Sequence, residues 1–430
     1  MPERDNVGSS YASHDSRLAD VLKANKPWGG DSKETGCWPP DKHNAALLDA
    51  VAPLWTNPTP PANGVFYYDL VSIGAGAGGL VSAKQSSRRG FKSALIEKHL
   101  AGGDCLNVGC VPSKALLRAA KAAKHGTIVP FSDVMERLRV ARAKIAPADA
   151  ASTTSSVGCA VFRGTAVFTG PNSLSIVPSS DCQVHAEIKI VFGKCVIAVG
   201  GVAAIPPQIA GLSTVPYHTN ATLYNITALP PRVVVMGGGP IGLEMAQALS
   251  LLGSEVTVVL RGAAPLPKED PDAAAAVQKS LEMDGVTFMS RVKVSNVRVK
   301  QNKQGWTPER PCHDDKYPEI GLVHEGGEIL CDLLLIATGR RANTGNLGLE
   351  KAGVKVDEKK GGLVVVDDWM RSVGNEDVFA VGDCASTLQV SRAPHKRSSG
   401  SRHSARATGS FAHATGSFPR VTDCPLFSRH

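Results

Sequence analysis

Residues 66–97 read FYYDLVSIGAGAGGLVSAKQSSRRGFKSALIE. The opening apolar run predicts a buried strand, GAGAGG a turn, Leu80–Arg89 a helix that Gly90 stops, and Lys92–Glu97 a second strand. This is a βαβ unit. Gly74, Gly76 and Gly79 give it a GxGxxG spacing: the first glycine permits the turn, the second lets backbone approach a pyrophosphate, and the third lets helix pack closely on strand. The helix N-terminus then faces the phosphate charge.

The pattern returns at residues 232–261, RVVVMGGGPIGLEMAQALSLLGSEVTVVLR, with Gly237, Gly239 and Gly242 in the same spacing. A lone GxGxxG reads equally well as a tight loop, but each copy here follows a strand and opens a helix. Between the copies, Ala160–Phe168, Leu174–Val177 and Glu187–Val199 read as short strands. After Gly339, GGLVVVDD and DVFAVGDCAS are both strand-like. The expected fold is α/β with two Rossmann-like dinucleotide-binding domains, the second inserted into the first. The boundaries are 1–64 for a partly disordered extension with a helix near Ala45–Trp55, 65–215 and 337–386 for the first domain, and 216–336 for the second.

The end of the second strand separates the two copies. Eighteen positions after Gly79 stands Glu97, an acid placed to accept from an adenosine ribose; the same offset from Gly242 reaches Leu260, followed by Arg261. A 2′-phosphate would be attracted by Arg261 and repelled by a carboxylate, so the second copy suits NADP(H) better than NAD(H). A solvated strand-end arginine is the plainer alternative.

Residues 102–114 read GGDCLNVGCVPSK. Cys105 and Cys110 stand just before a helix expected to begin near Pro112 or Ser113, whose N-terminal dipole lowers the pKa of the nearer thiol. Zinc needs a second ligand pair that does not follow, so no metal site is expected; a pair of inert buried thiols is the other alternative. Two dinucleotide sites beside close cysteines favour redox chemistry.

These stretches, together with ATGRRANT at 337–344 and VFAVGDCA at 378–385, make residues 66–386 resemble the flavoprotein disulfide oxidoreductases, the class I pyridine nucleotide-disulfide family. The resemblance implies FAD on the first fingerprint and a nicotinamide cofactor, NADPH with NADH as the alternative, on the second. It implies that Glu97 holds the FAD ribose, that Asp383 holds the ribityl or phosphate region, and that Gly103, Gly339 and Gly382 line the cofactor sites. Cys110 would face the flavin, Cys105 would exchange with substrate, and Lys114 and Glu244 would form an ion pair beside the flavin. The substrate would be a small disulfide or a thiol-bound metal. The wording around the fingerprints is most similar to the mercuric-reductase-like branch, with a dihydrolipoamide-dehydrogenase-like enzyme using NAD, or a non-catalytic FAD- and NADP-binding remnant, as alternatives.

Family members are dimers that continue into an interface domain supplying a His–Glu acid/base pair; here a Ser/Arg/His segment follows instead, and an incomplete active site is the expectation. The chain has 430 residues, 43% hydrophobic, with a net charge of +8. Thr387–His430 holds seven Lys/Arg against one acid and repeats ATGSF, so it reads as a disordered basic tail, and the body is nearly neutral. Specific nucleic-acid binding is therefore not expected. No apolar run is long enough to span a bilayer, and the first twenty residues lack the apolar core of a secretory signal, so an intracellular location, cytoplasm or organelle, is expected. Cys37, Cys159, Cys182, Cys195, Cys312, Cys331 and Cys424 stand in no motif, and Cys384 reads as a small buried residue.

Overall fold

The computed structural model describes residues 37, 39, 41–179, 182, 187–301 and 317–385. The expected tail at 387–430, Cys312, Cys424 and the first 36 residues of the expected extension lie outside the described residues. The chain is followed from helix α1 (Lys42–Val51) into strand β1 (Val65–Ile73), helix α2 (Ala77–Arg88) and strand β2 (Ser93–Glu97), the first βαβ unit. Helices α3 (Gly103–Asn107), α4 (Cys110–Lys124) and α5 (Phe131–Asp149) then lead to β3 (Ala160–Gly170), β4 (Ser173–Pro178) and β5 (Ile188–Ile197), an antiparallel meander.

β5 returns beside β1 in parallel, pairing Ile197 with Ile73, while β2 pairs parallel with both β1 and β3. Central strands covered on both faces read as continuous apolar runs, and Leu70–Ile73 of β1 is buried without interruption. Short strand β6 (Gly201–Ala203) ends this part of the chain's first unit.

The inserted unit has β7 (Arg232–Met236), α6 (Pro240–Leu251), β8 (Glu255–Val259), α7 (Pro271–Met283) and β9 (Val286–Met289). An antiparallel layer of β10 (Val294–Gln301), β11 (Glu319–His324) and β12 (Gly327–Cys331) follows, and β13 (Leu333–Ile336) completes a parallel sheet in the order β13-β7-β8-β9. The chain then crosses back: β14 (Arg340–Ala342) pairs antiparallel with β6, and β15 (Asn375–Ala380) adds in parallel to β5, placing Ala380 opposite Ile197. The α/β fold with a second Rossmann-like unit inserted into the first is thus formed.

One apolar core joins the units. Leu116 and Ala120 of α4 and Leu138 of α5 pack in a cluster with Leu249, Val258 and Leu335 of the inserted unit. A fully buried leucine at such a joint is worth about 2–5 kcal/mol against alanine. Asp284, after α7, adds a polar tie, accepting from Lys124 Nζ at 2.5 Å and Gln247 Nε2 at 2.8 Å.

Three local expectations are corrected. The first helix spans Lys42–Val51 rather than Ala45–Trp55, because the Asp41 side chain accepts from the amides of His43 and Asn44 and sets its start. GGLVVVDD forms only a two-residue strand, Leu363–Val364, because Asp367 accepts from the amides of Trp369 and Arg371 and turns the chain. Residues 41–57, expected within a partly disordered extension, are docked on the body: Leu47 and Val51 are fully buried and Asn57 exchanges hydrogen bonds with the Arg163 backbone. Among the described residues no helix is long and apolar enough to cross a membrane.

Candidate active site

A continuous cavity of about 2420 Å³ runs between the units and is lined by both glycine fingerprints and both cysteines. It is larger than the roughly 300–1,000 Å³ of a single small-ligand site, as two dinucleotides require.

The fingerprints fit such ligands. Gly74 has φ +103°, and a Cβ on Gly79 would sit 1.7 Å from the Gly74 carbonyl oxygen, so the turn closes only with glycine at both positions. In the second copy Gly237 has φ +112° and a Cβ on Gly242 would lie 2.6 Å from the Gly237 carbonyl oxygen. Gly239 differs: a Cβ there would meet nothing within 4 Å, so packing does not demand glycine. Helices α1 and α7 are capped by Asp41 and Asp270, whereas α2 and α6, which open at the cavity, have no side-chain cap. Their first amides are left for an anion.

Glu97, at the end of β2, accepts from the Ala75 amide at 2.6 Å and the His99 amide at 2.7 Å, which braces the first fingerprint and leaves the carboxylate at the cavity wall. Gly103 has φ +56°, and a Cβ there would lie 2.7 Å from Gly76 Cα. The cysteine turn therefore begins in backbone contact with the first fingerprint.

Cys105 lies on α3 and Cys110 is the first residue of α4, two positions earlier than the helix start read at Pro112. The N-terminal end of α4 thus falls on Cys110 itself. Both thiols are free and exposed to the cavity. They divide one proton unequally. The Cys105 thiol donates to the Cys110 sulfur, which raises the Cys105 pKa; the same bond, aided by the Lys114 charge against the cost of burial, lowers Cys110 to about 6. Lys114 Nζ stands 2.8 Å from Glu244 Oε1, pairing α4 with α6.

Arg261 and Lys268 both line the cavity in the loop after β8, and Leu260 beside them is buried. Gly339, Gly382 and Asp383 line it from the return crossing. Asp383 Oδ2 accepts from Arg340 Nε at 3.0 Å. Sequence reading passed over Arg340: its side chain is 8% exposed, and it also reaches Asp104 and the Gly201 carbonyl oxygen. Its position inside ATGRRANT was the available signal. Tyr224, buried and at the cavity wall near Cys110, Glu244 and Arg142, stood in no motif. Among the described residues no group of three or more His, Cys, Asp or Glu is placed to hold a metal ion.

A family profile described as pyridine nucleotide-disulphide oxidoreductase matches residues 68–409. Mercuric reductase of Acidithiobacillus ferrooxidans is 31% identical over 335 residues, which is 74% of this chain and 56% of that protein. Mercuric reductase of Streptomyces lividans is 32% identical over 330 residues, 74% of this chain and 65% of the relative. Dihydrolipoyl dehydrogenase of Thermus scotoductus is 32% identical over 332 residues, 74% and 66% respectively. The chain spans between half and two thirds of the length of these relatives. Among solved structures, the HOCl-induced flavoprotein disulfide reductase RclA from Escherichia coli superimposes with TM-score 0.63 and 27% identity, over 75% of this chain and 67% of that one.

Proposed function

Because the chain belongs to the pyridine nucleotide-disulphide oxidoreductase family, we propose that it is an FAD-dependent oxidoreductase moving reducing equivalents from NADPH to the Cys105–Cys110 pair. From there they pass to a small disulfide or a thiol-bound metal, as in the mercuric-reductase-like branch. The observation that supports this most is the pair of free thiols at the cavity wall, Cys110 opening α4 one turn before the Lys114–Glu244 ion pair and Cys105 on the short helix before it.

Each residue has a part in this reading. The first fingerprint, Glu97 and Asp383 hold FAD; the second fingerprint holds the nicotinamide nucleotide, with Arg261 and Lys268 offering cations to a 2′-phosphate. Bound FAD supplies a two-electron carrier between nicotinamide and disulfide. Lys114 offsets negative charge beside Cys110, and Glu244 fixes the lysine's direction. In the exchange, the Cys105 sulfur attacks one sulfur of the substrate disulfide, breaking its S–S bond, and the Cys105 proton passes to the leaving sulfur, which departs as a thiol. The Cys110 thiolate then attacks Cys105, releasing the second as a thiolate and closing the Cys105–Cys110 disulfide.

Anaerobic titration with NADPH tests the reading. It requires bound flavin that NADPH reduces and a long-wavelength thiolate–flavin absorbance that disappears in Cys110→Ser; absence of flavin, or flavin that NADPH leaves oxidised, sinks it. The dihydrolipoyl dehydrogenase relative supports a second reading, an NAD-linked enzyme, which equal or better reduction by NADH would favour.

A further inference from the structure

Asn107 sits midway between Cys105 and Cys110. Its carbonyl accepts from Arg142 Nη1 at 3.0 Å, and its amide nitrogen donates to the carbonyls of Ala101 at 3.0 Å and Gly103 at 2.9 Å. Arg142, on α5, donates from Nη2 to Asn44 Oδ1 at 2.9 Å. Asn44 in turn is fixed at the first turn of α1, its amide held by Asp41 and its side chain donating to the Pro39 carbonyl at 2.7 Å. Asp41 also accepts from Arg139 Nε at 2.5 Å. A chain of contacts therefore runs from residues 39–44, which precede the family-matched region at 68–409, to the peptide between the two sulfurs.

Stability alone does not call for an arginine here. Arg142 is 2% exposed, Asn44 is 0% and Asn107 is 4%. Among the described residues Arg142 faces no carboxylate within ion-pair distance, and its Nε has no hydrogen-bond partner. A guanidinium held this way costs desolvation energy that an apolar side chain of similar volume would not. What the arginine supplies is direction: two planar donors aimed at one carbonyl and one amide oxygen.

We propose that Arg142, held in place by Asn44, is a positioning residue for the Cys105–Cys110 pair, so that the segment before the family-matched region is part of the redox centre. The proposal rests on the reading of these cysteines as a redox pair. By fixing the peptide at Asn107, the arginine keeps the Cys105 thiol directed at the Cys110 sulfur. Four other groups bear on the two sulfurs: Lys114 on α4, Glu244 on α6, Tyr224 after β6, and Asp149 at the end of α5. Lys114, Glu244 and Asp149 contact neither Asn107 nor Arg142 by a hydrogen bond or ion pair, whereas Tyr224 senses the Arg142 charge, so the Arg142→Met comparison is repeated in Tyr224→Phe, where the same shift is expected.

The test follows iodoacetamide alkylation of each cysteine against pH in the reduced, full-length, flavin-loaded protein, with peptides resolved by mass spectrometry. In Arg142→Met the Cys110 midpoint rises by about one pH unit, a tenfold loss of thiolate, and the Cys105 midpoint falls. Asn44→Ala moves both in the same directions by less, Arg142→Lys recovers part of the shift, and the double variant is no worse than Arg142→Met. General loosening of the turn would also return both midpoints toward the ordinary 9.0, so the shift supports the proposal where the variant keeps the wild-type Tm and flavin absorbance, and a shift that comes only with a matching fall in Tm overturns it. Wild-type midpoints in folded Arg142→Met overturn the proposal; should that variant not fold, wild-type midpoints in both Arg142→Lys and Asn44→Ala overturn it. Failure of the wild-type cysteines to form a disulfide under mild oxidation would instead overturn the redox reading, whatever Arg142 does.

Discussion

Arg340 donates from Nε to Asp383 across 3.0 Å and from Nη2 to Asp104, the residue before Cys105. One side chain thereby ties the return crossing to the cysteine turn. Arg340→Leu leaves two carboxylates without their cation; as both are partly exposed, the expected cost is about 2–3 kcal/mol rather than the full penalty for a buried pair. Denaturant unfolding measures it, and FAD should leave the variant more readily on gel filtration. Wild-type stability with wild-type flavin retention would show that the tie is idle.

Glycines of the second fingerprint separate packing from binding. Gly242→Ala drives a Cβ to 2.6 Å from the Gly237 carbonyl oxygen, so a fall in Tm is expected, whereas Gly239→Ala meets nothing and keeps the wild-type Tm. The Gly239 variant should instead lose NADPH affinity, by about tenfold or more if the methyl occupies pyrophosphate space. Thermal unfolding beside nucleotide titration distinguishes the two; unchanged affinity in Gly239→Ala argues against a pyrophosphate there.

Cys110 should alkylate with a midpoint near pH 6 and Cys105 far above it. Lys114→Met removes the cation that assists the thiolate; because the lysine is half exposed, the rise in the Cys110 midpoint should be under about one pH unit. The lowered Cys110 value adds stability that is full above the ordinary 9.0 and is lost as pH falls through about 6, whereas the raised Cys105 value subtracts stability as pH rises past 9.0, so the pair favours the reduced fold most near pH 9. A Cys110 midpoint at the ordinary value would contradict the unequal pair.

Arg261→Glu places a carboxylate where a 2′-phosphate is expected. Reduction by NADPH should weaken by about ten- to a hundredfold, the worth of one charge-assisted hydrogen bond, while NADH is unaffected or improved. Steady-state comparison of the two nucleotides decides it, and equal behaviour of wild type and variant removes the basis for an NADPH preference.

Both βαβ units and the cysteine turn were legible because their chemistry is local: glycines two and three positions apart, two cysteines within one turn of chain. The brace around them was not. Arg340 meets Asp104 and Asp383, Arg142 meets Asn44 and Asn107, and Asn57 meets Arg163, partners brought together only by the sheet and helix packing. No spacing rule announces such pairs. The strand expected through GGLVVVDD is shortened to Leu363–Val364 for a related reason: its apolar run was visible, but the Asp367 turn that follows acts through backbone amides.

The inserted unit also sets an order of assembly. Its parallel sheet draws only on residues 232–336, whereas the first sheet is completed by Asn375–Ala380 beside Ile188–Ile197. During synthesis the second βαβ unit can close while the first still lacks its last parallel strand, and the Arg340 tie to Asp104 forms only after both have emerged. On the proposed FAD-binding role, flavin capture would be a late event in the life of the chain, and mutations that slow the return crossing should lower the yield of cofactor-loaded protein without touching any residue proposed to hold the cofactor.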